Sequence, residues 1–245
     1  MNLYETWLVN QPIAHRGLHD EISPENSLSA FEKAVQHHYA IETDVHLSKD
    51  GVIVVFHDDT VDRMTDGTGV IEEKTLAEIK ALTLKNSAEK IPTFDEFLST
   101  VGGRTPILVE IKNHKNIGVL ETQLTEKLNA YGGDFAVQSF HPFIVKWFKK
   151  NAPHFLRGQL STNMRDEKDM PAYQKKLLTR CFFNFMTKPH FVSYDVRYIH
   201  NKRTLKWRKK MPVLMWTTRS EEEMKANKDY FDNIIFEHFL PDVKE

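Results

Sequence analysis

At 245 residues the chain is about one domain long, and a composition of 40% apolar and 27% charged residues without low-complexity tracts excludes a disordered or fibrous protein. Lys and Arg total 33 against 34 Asp and Glu, so the net charge of −1 excludes a global field for nucleic acid, and any preference for anions has to be local. No apolar run reaches the ~18 to 20 residues that cross a bilayer, and the opening Met1-Asn2-Leu3-Tyr4-Glu5 has neither a basic nor an apolar leader, which predicts a cytoplasmic protein.

Short β-branched runs alternate with longer amphipathic stretches, the pattern of parallel strands joined by helical crossovers. In chain order the predicted strands are 12–15, 40–45, 52–57, 106–112, 135–140, 155–160, 191–195, 212–217 and 233–237. Nine runs are one too many for an eight-stranded barrel. The turn Lys49-Asp50-Gly51 therefore assigns 52–57 to a hairpin with the strand before it. Helices are predicted over 27–38, where Leu28, Phe31, Ala34 and Val35 share one face, and over 220–227, where Ser220 and Glu223 read as a capping box. Residues 58–105 form a polar excursion with a short helix near 75–82, too long for a simple βα loop. The expected architecture is one α/β domain over 1–245, a (β/α)₈ TIM barrel with a small insertion lobe, roughly 58–105, after the second barrel strand.

The ends of these strands carry the chemistry. The first runs into His15-Arg16-Gly17, where glycine permits a positive φ or a close approach and Arg16 offers a planar fork for phosphate oxygens. In Ile41-Glu42-Thr43-Asp44-Val45, the period of two puts Glu42 and Asp44 on one side. Neighbouring carboxylates repel unless protonated or bridged by a cation, and such hard oxygens suit Mg²⁺ or Ca²⁺. Glu110 and Lys112 share a side of the strand 106–112, which reads either as an ion pair or as a metal ligand beside a phosphate-binding ammonium. His57 ends the run Val54-Val55-Phe56 and makes a natural pair with His15, whereas His37, His38, His114, His154 and His190 read as surface or structural. Three carboxylates, a divalent ion, Arg16 and Lys112 together leave a site of about +1, matched to a phosphodiester of −1. Cys181, the single cysteine, fits a reducing compartment and reads as a small buried hydrophobe.

Taken in order, His15-Arg16-Gly17, Pro24-Glu25-Asn26-Ser27, Glu42-Thr43-Asp44-Val45, His57-Asp58 and Glu110-Ile111-Lys112 resemble the signature of the glycerophosphodiester phosphodiesterase family. The resemblance is dense in the amino-terminal half. It implies a (β/α)₈ barrel, one divalent cation (Mg²⁺ or Ca²⁺, with Mn²⁺ as a further option) held by Glu42, Asp44 and Glu110, and catalytic histidines His15 and His57. Met215-Trp216-Thr217 resembles the family strand whose aromatic residue lies against the glycerol moiety, which makes Trp216 a substrate-binding candidate with Arg16 and Lys112. Two departures stand out: Arg219 where the family has Asn, and Phe236-Glu237-His238-Phe239-Leu240-Pro241 where it closes with a Thr-Asp-x-Pro turn.

The implied reaction is hydrolysis of a small glycerophosphodiester to sn-glycerol 3-phosphate and an alcohol, with one histidine as base and the other as acid. A lipid or lysophospholipid substrate at the same site, and a catalytically silent barrel that binds a phosphodiester, are the competing readings. Nucleic acid is not an expected partner. Membrane contact rests on runs such as 143–150 and 202–210, which mix Trp with Lys or Arg but also suit a solvated helix face. The aromatic stretch 181–198 reads as core packing, with a headgroup pocket or lipid contact as its other use.

Overall fold

The computed structural model describes residues 2–112, 114, 116–164 and 170–243. Its strands are β1 (Ile13–Ala14), β2 (Ala40–Leu47), β3 (Ile53–Val55), β4 (Ile107–Ile111), β5 (Phe135–Ser139), β6 (Arg157–Ser161), β7 (Phe191–Asp195), β8 (Val213–Thr218) and β9 (Asn233–Phe236). The hairpin forms as its turn requires. Gly51 takes φ +83, Ser48 N–H donates to Val52 O at 2.8 Å, and β3 runs antiparallel to β2 with Val45 opposite Val55. With β3 set aside, eight strands separated by helices remain, and the chain is a (β/α)₈ barrel.

The chain forms two compact units, Ala14–Phe135 and residues 1–13 with 136–245. In the first, β2 and β4 pair in parallel with Asp44 opposite Glu110. The helix Leu28–Gln36 starts at its cap, where Ser27 Oγ accepts from Ala30 N–H, and it buries Ala30, Phe31, Ala34 and Val35. The expected excursion 58–105 divides in two. Its first part packs Val61, Ile71, Ile79, Leu84 and Ile91 onto Val54 and Phe56 of the hairpin, and holds the helix Leu76–Ala81 behind a full capping box of Thr75 and Glu78. Its second part is the helix Phe94–Val101, which packs on Leu28–Gln36 through Phe31 and Phe97, 4.6 Å apart. The sequence marks that helix with a second box, Thr93 to Glu96.

In the other unit β5 to β9 pair in parallel in sequence order. Phe148, Phe155, Phe191 and Phe236 are fully buried there. The helix Glu221–Ala226 is capped by Ser220, whose Oγ accepts from Glu223 N–H, but Glu223 turns its carboxylate to Arg219 N–H at 2.8 Å, so only half of the expected box forms. Cys181 is buried and its thiol is pushed up to about 12 by desolvation, as befits a packed hydrophobe. No helix among the described residues is long and apolar enough to cross a membrane.

Candidate functional site

Glu42, Asp44 and Glu110 come together within the unit Ala14–Phe135. Alternation along β2 puts the first two on one side, and the parallel register of β2 with β4 brings Glu110 beside Asp44. One oxygen from each of the three lies within 4.8 Å of the others, and all three side chains are buried. Lys112, on the same side of the chain as Glu110, donates to Glu110 Oε1 at 2.9 Å and to Asp44 Oδ1 at 3.1 Å.

Arg16 approaches from the turn after β1. Its backbone N–H donates to Glu42 Oε2 at 3.1 Å, its Nη1 to Glu25 Oε1 at 2.8 Å, and its Nε lies 3.5 Å from Asp44 Oδ2. The turn holds Arg16 at φ +55 and Gly17 at φ +79. At Gly17 a Cβ would stand 2.8 Å from the Ala30 carbonyl carbon, so the position needs both of glycine's freedoms.

These contacts divide the charges unequally. Burial, with Asp44 and Glu110 adding like charge, pushes Glu42 well above the usual carboxylate range. Burial also opposes charge on Asp44, but Lys112, His57 and Arg16 outweigh it and hold that carboxyl far below its ordinary value. Lys112 is desolvated yet raised, because Asp44 and Glu110 overcome the cost. The upward shift of Glu42 marks a cluster short of positive charge. Its donor set of three hard oxygens fits a divalent cation, since ligand oxygens at 2.0 to 2.6 Å from one ion stand about 3 to 5 Å apart.

His15 is the first residue past β1, and His57 the second past β3. The ring of His57 is fixed by Asp58, with Nδ1 2.5 Å from Oδ1. Its carbonyl accepts from Nε2 of the buried His46 at 3.3 Å. Trp216 lies on β8 in the other unit, edge-on to Phe140 at 5.6 Å, and its indole N–H is buried without a protein acceptor among the described residues. The two family departures meet there: Arg219 Nε pairs with Glu237 Oε1 at 2.8 Å.

Several functional-looking residues lie outside the periodic pattern. Asn26, at φ +57 and buried, donates from Nδ2 to Asp44 Oδ2 at 3.0 Å and accepts at Oδ1 from Thr43 Oγ1 at 2.9 Å. Arg63 donates from Nε to Asp58 Oδ2 at 2.6 Å, and from Nη1 and Nη2 to both oxygens of Glu25 at 2.9 and 2.6 Å. Its guanidinium links the carboxylate on His57 to the carboxylate on Arg16. The tetrapeptide Pro24-Glu25-Asn26-Ser27 was the available signal for Glu25 and Asn26, whereas nothing in the spacing points to Arg63. Of the histidines read as structural, His114 pairs with the fully buried Glu121 at 2.9 Å, and His190 Nδ1 accepts from Arg157 N–H at 3.2 Å.

Known proteins resemble this chain in sequence and in fold. The model of the glycerophosphoryl diester phosphodiesterase family matches residues 15–238. A glycerophosphodiester phosphodiesterase of Caldanaerobacter subterraneus subsp. tengcongensis is 37% identical over 160 residues, 60% of this chain and 65% of its own. One from Bacillus altitudinis is 31% identical over 170 residues, 64% and 69% of the two chains. The matches to these relatives thus span about two thirds of their length. Among solved structures, an Oleispira antarctica phosphodiesterase in complex with the product sn-glycerol-3-phosphate aligns at a TM-score of 0.77 and 25% identity, over 95% of this chain and 94% of that one.

Proposed function

The chain belongs to the glycerophosphoryl diester phosphodiesterase family, and we propose that it hydrolyses glycerophosphodiesters to sn-glycerol 3-phosphate and an alcohol with the help of one divalent cation at Glu42, Asp44 and Glu110. The observation that carries this reading is the convergence of three buried carboxylate oxygens within 4.8 Å, beside Lys112 and Arg16, inside the segment that the family model matches.

A divalent cation bound there supplies Lewis-acid polarisation of the phosphoryl oxygens. The chain's own groups do the rest. Lys112 and Arg16 are cations fixed in advance by carboxylates, so they meet the charge that grows on the phosphoryl oxygens without reorganising. Asp58 accepts from Nδ1–H of His57, which leaves the lone pair on Nε2 and suits His57 to take the proton of the attacking oxygen. His15, in the turn after β1 of the same unit, then protonates the leaving alkoxide. Arg63 is a positioning residue: through Asp58 and Glu25 it holds His57 and Arg16 in one arrangement. The family resemblance assigns Trp216 to the glycerol moiety, and its buried indole N–H, which has no protein acceptor among the described residues, is proposed to meet a hydroxyl. The Arg219–Glu237 pair replaces the family's usual polar residues and is proposed to tune the alcohol accepted.

The test is release of sn-glycerol 3-phosphate from glycerophosphocholine and glycerophosphoethanolamine with Mg²⁺, Ca²⁺, Mn²⁺ or chelator, by wild type and His15→Ala. Release that needs the ion and disappears in the folded variant supports the reading. Absence of release from either substrate with every ion refutes it in favour of a lipid substrate or a silent binder.

A further inference from the structure

The aromatic stretch 181–198 divides: Cys181, Phe191 and Tyr194 are buried as the sequence predicts, whereas Phe182 and Phe185 are on the surface. In the unit that holds residues 136–245, Phe143, Tyr173, Phe182 and Phe185 are 48%, 64%, 54% and 69% exposed. The phenylalanines form a patch through Phe183. Phe182 contacts Phe183 and Phe185 at 5.7 and 5.5 Å, and Phe183 reaches Phe143 on the helix Pro142–Asn151 at 6.1 Å. Lys149 Nζ ties the two segments together through Met186 O at 2.6 Å. The helix Ala172–Thr179, which carries Tyr173, buries none of its residues.

Charge is segregated onto the same stretch. Residues 135–194 hold ten Lys and Arg and three Asp and Glu, a net of +7, while the rest of the chain carries −8. The three acidic residues all fall within 166–169, outside the described residues, and the described part of the stretch has none. The cations lie near the rings along the chain. Lys146 and Lys176 lie three residues after Phe143 and Tyr173, one turn along the same helix faces, and Arg180 and Lys188 flank Phe182 and Phe185. All four cations are exposed.

We propose that this patch docks the protein on an anionic phospholipid surface, with the phenyl rings entering the headgroup boundary and the Lys and Arg side chains meeting the lipid phosphates. Exposed aromatic tips interleaved with cations fit an interface that is apolar below and negative above. A second copy of the chain fits poorly, because a twofold contact would press this positive face onto itself. The inference stands apart from the catalytic reading, and vesicle binding tests it without any measurement of activity.

The full chain is sedimented at low salt with vesicles of phosphatidylcholine alone and of phosphatidylcholine with phosphatidylglycerol in equal parts. Binding is expected only to the anionic vesicles. It should fall about fivefold for each of Lys176→Gln and Lys188→Gln, the factor expected from about 1 kcal/mol per cation. Binding should disappear in Phe182→Ser/Phe185→Ser, a variant expected to keep its circular dichroism and its melting temperature, since both rings are more than half exposed. Failure of the wild type to sediment with anionic vesicles overturns the proposal. So does binding that is unchanged in all three variants, or a lipid-free dimer in analytical ultracentrifugation that the double substitution dissolves.

Discussion

Glu42→Gln separates the proton held by the carboxylate cluster from the cation it is proposed to bind. Glu42 is buried beside Asp44 and Glu110, with oxygens within 4.8 Å of each other, and its carboxyl is raised well above the usual range. At that spacing two unit charges repel by about 3 to 4 kcal/mol for an effective dielectric of about 20. With the ion removed, the folded chain therefore binds a proton that the unfolded chain loses near pH 4.5. Between that pH and the raised pKa the folded state carries more protons, so stability must fall as pH rises, by up to about 1.4 kcal/mol per pH unit. Asp44 does not blur the window: its carboxyl is depressed, so its contribution is complete above its unfolded value near 3.8 and is lost only on acidification. The variant has no proton to lose and should lack this downward component. Urea denaturation of chelator-treated wild type and Glu42→Gln at half-unit steps from pH 5 to 8 measures the difference, with every other titrating group common to both. Adding Mg²⁺ or Ca²⁺ should stabilise the wild type increasingly as pH rises, because the ion displaces the proton, and should stabilise the variant little. Parallel pH curves for the two proteins, or equal stabilisation by the ion, would refute the reasoning.

Arg63→Met should lower kcat by roughly 10- to 100-fold, the usual cost of losing a supporting shell, while stability drops by less than about 1 kcal/mol because the Arg63 side chain is 47% exposed; steady-state kinetics with a melting curve checks both, and an unchanged kcat sinks the positioning role. Gly17→Ala should destabilise by about 2 kcal/mol or more, since φ +79 is strained for alanine and the methyl meets the Ala30 backbone at 2.8 Å; denaturant midpoints report it. Cys181 should resist a thiol-reactive disulfide reagent at pH 8 in the folded protein and react at once in urea, its thiol being buried and pushed up to about 12.

The local chemistry of the chain by itself determined much of this protein. Alternation with a period of two places Glu42 with Asp44 and Glu110 with Lys112, because the pleat of a strand leaves no other arrangement. The turn at Gly51 likewise separated the hairpin from the barrel strands. What spacing could not give is which residue of one strand meets which of another. The register that sets Glu110 opposite Asp44, rather than a neighbour, is decided by packing across the β2–β4 pair. The bridge of Arg63 to Asp58 and Glu25 joins residues 5 and 38 positions apart through loops that have no period to read. Exposure was decided the same way. Phe182 and Phe185 are as apolar as Phe148 and Phe155, and only the tertiary fold puts the first pair in solvent and the second in the core, since burial belongs to the neighbours a side chain finds and not to the side chain alone.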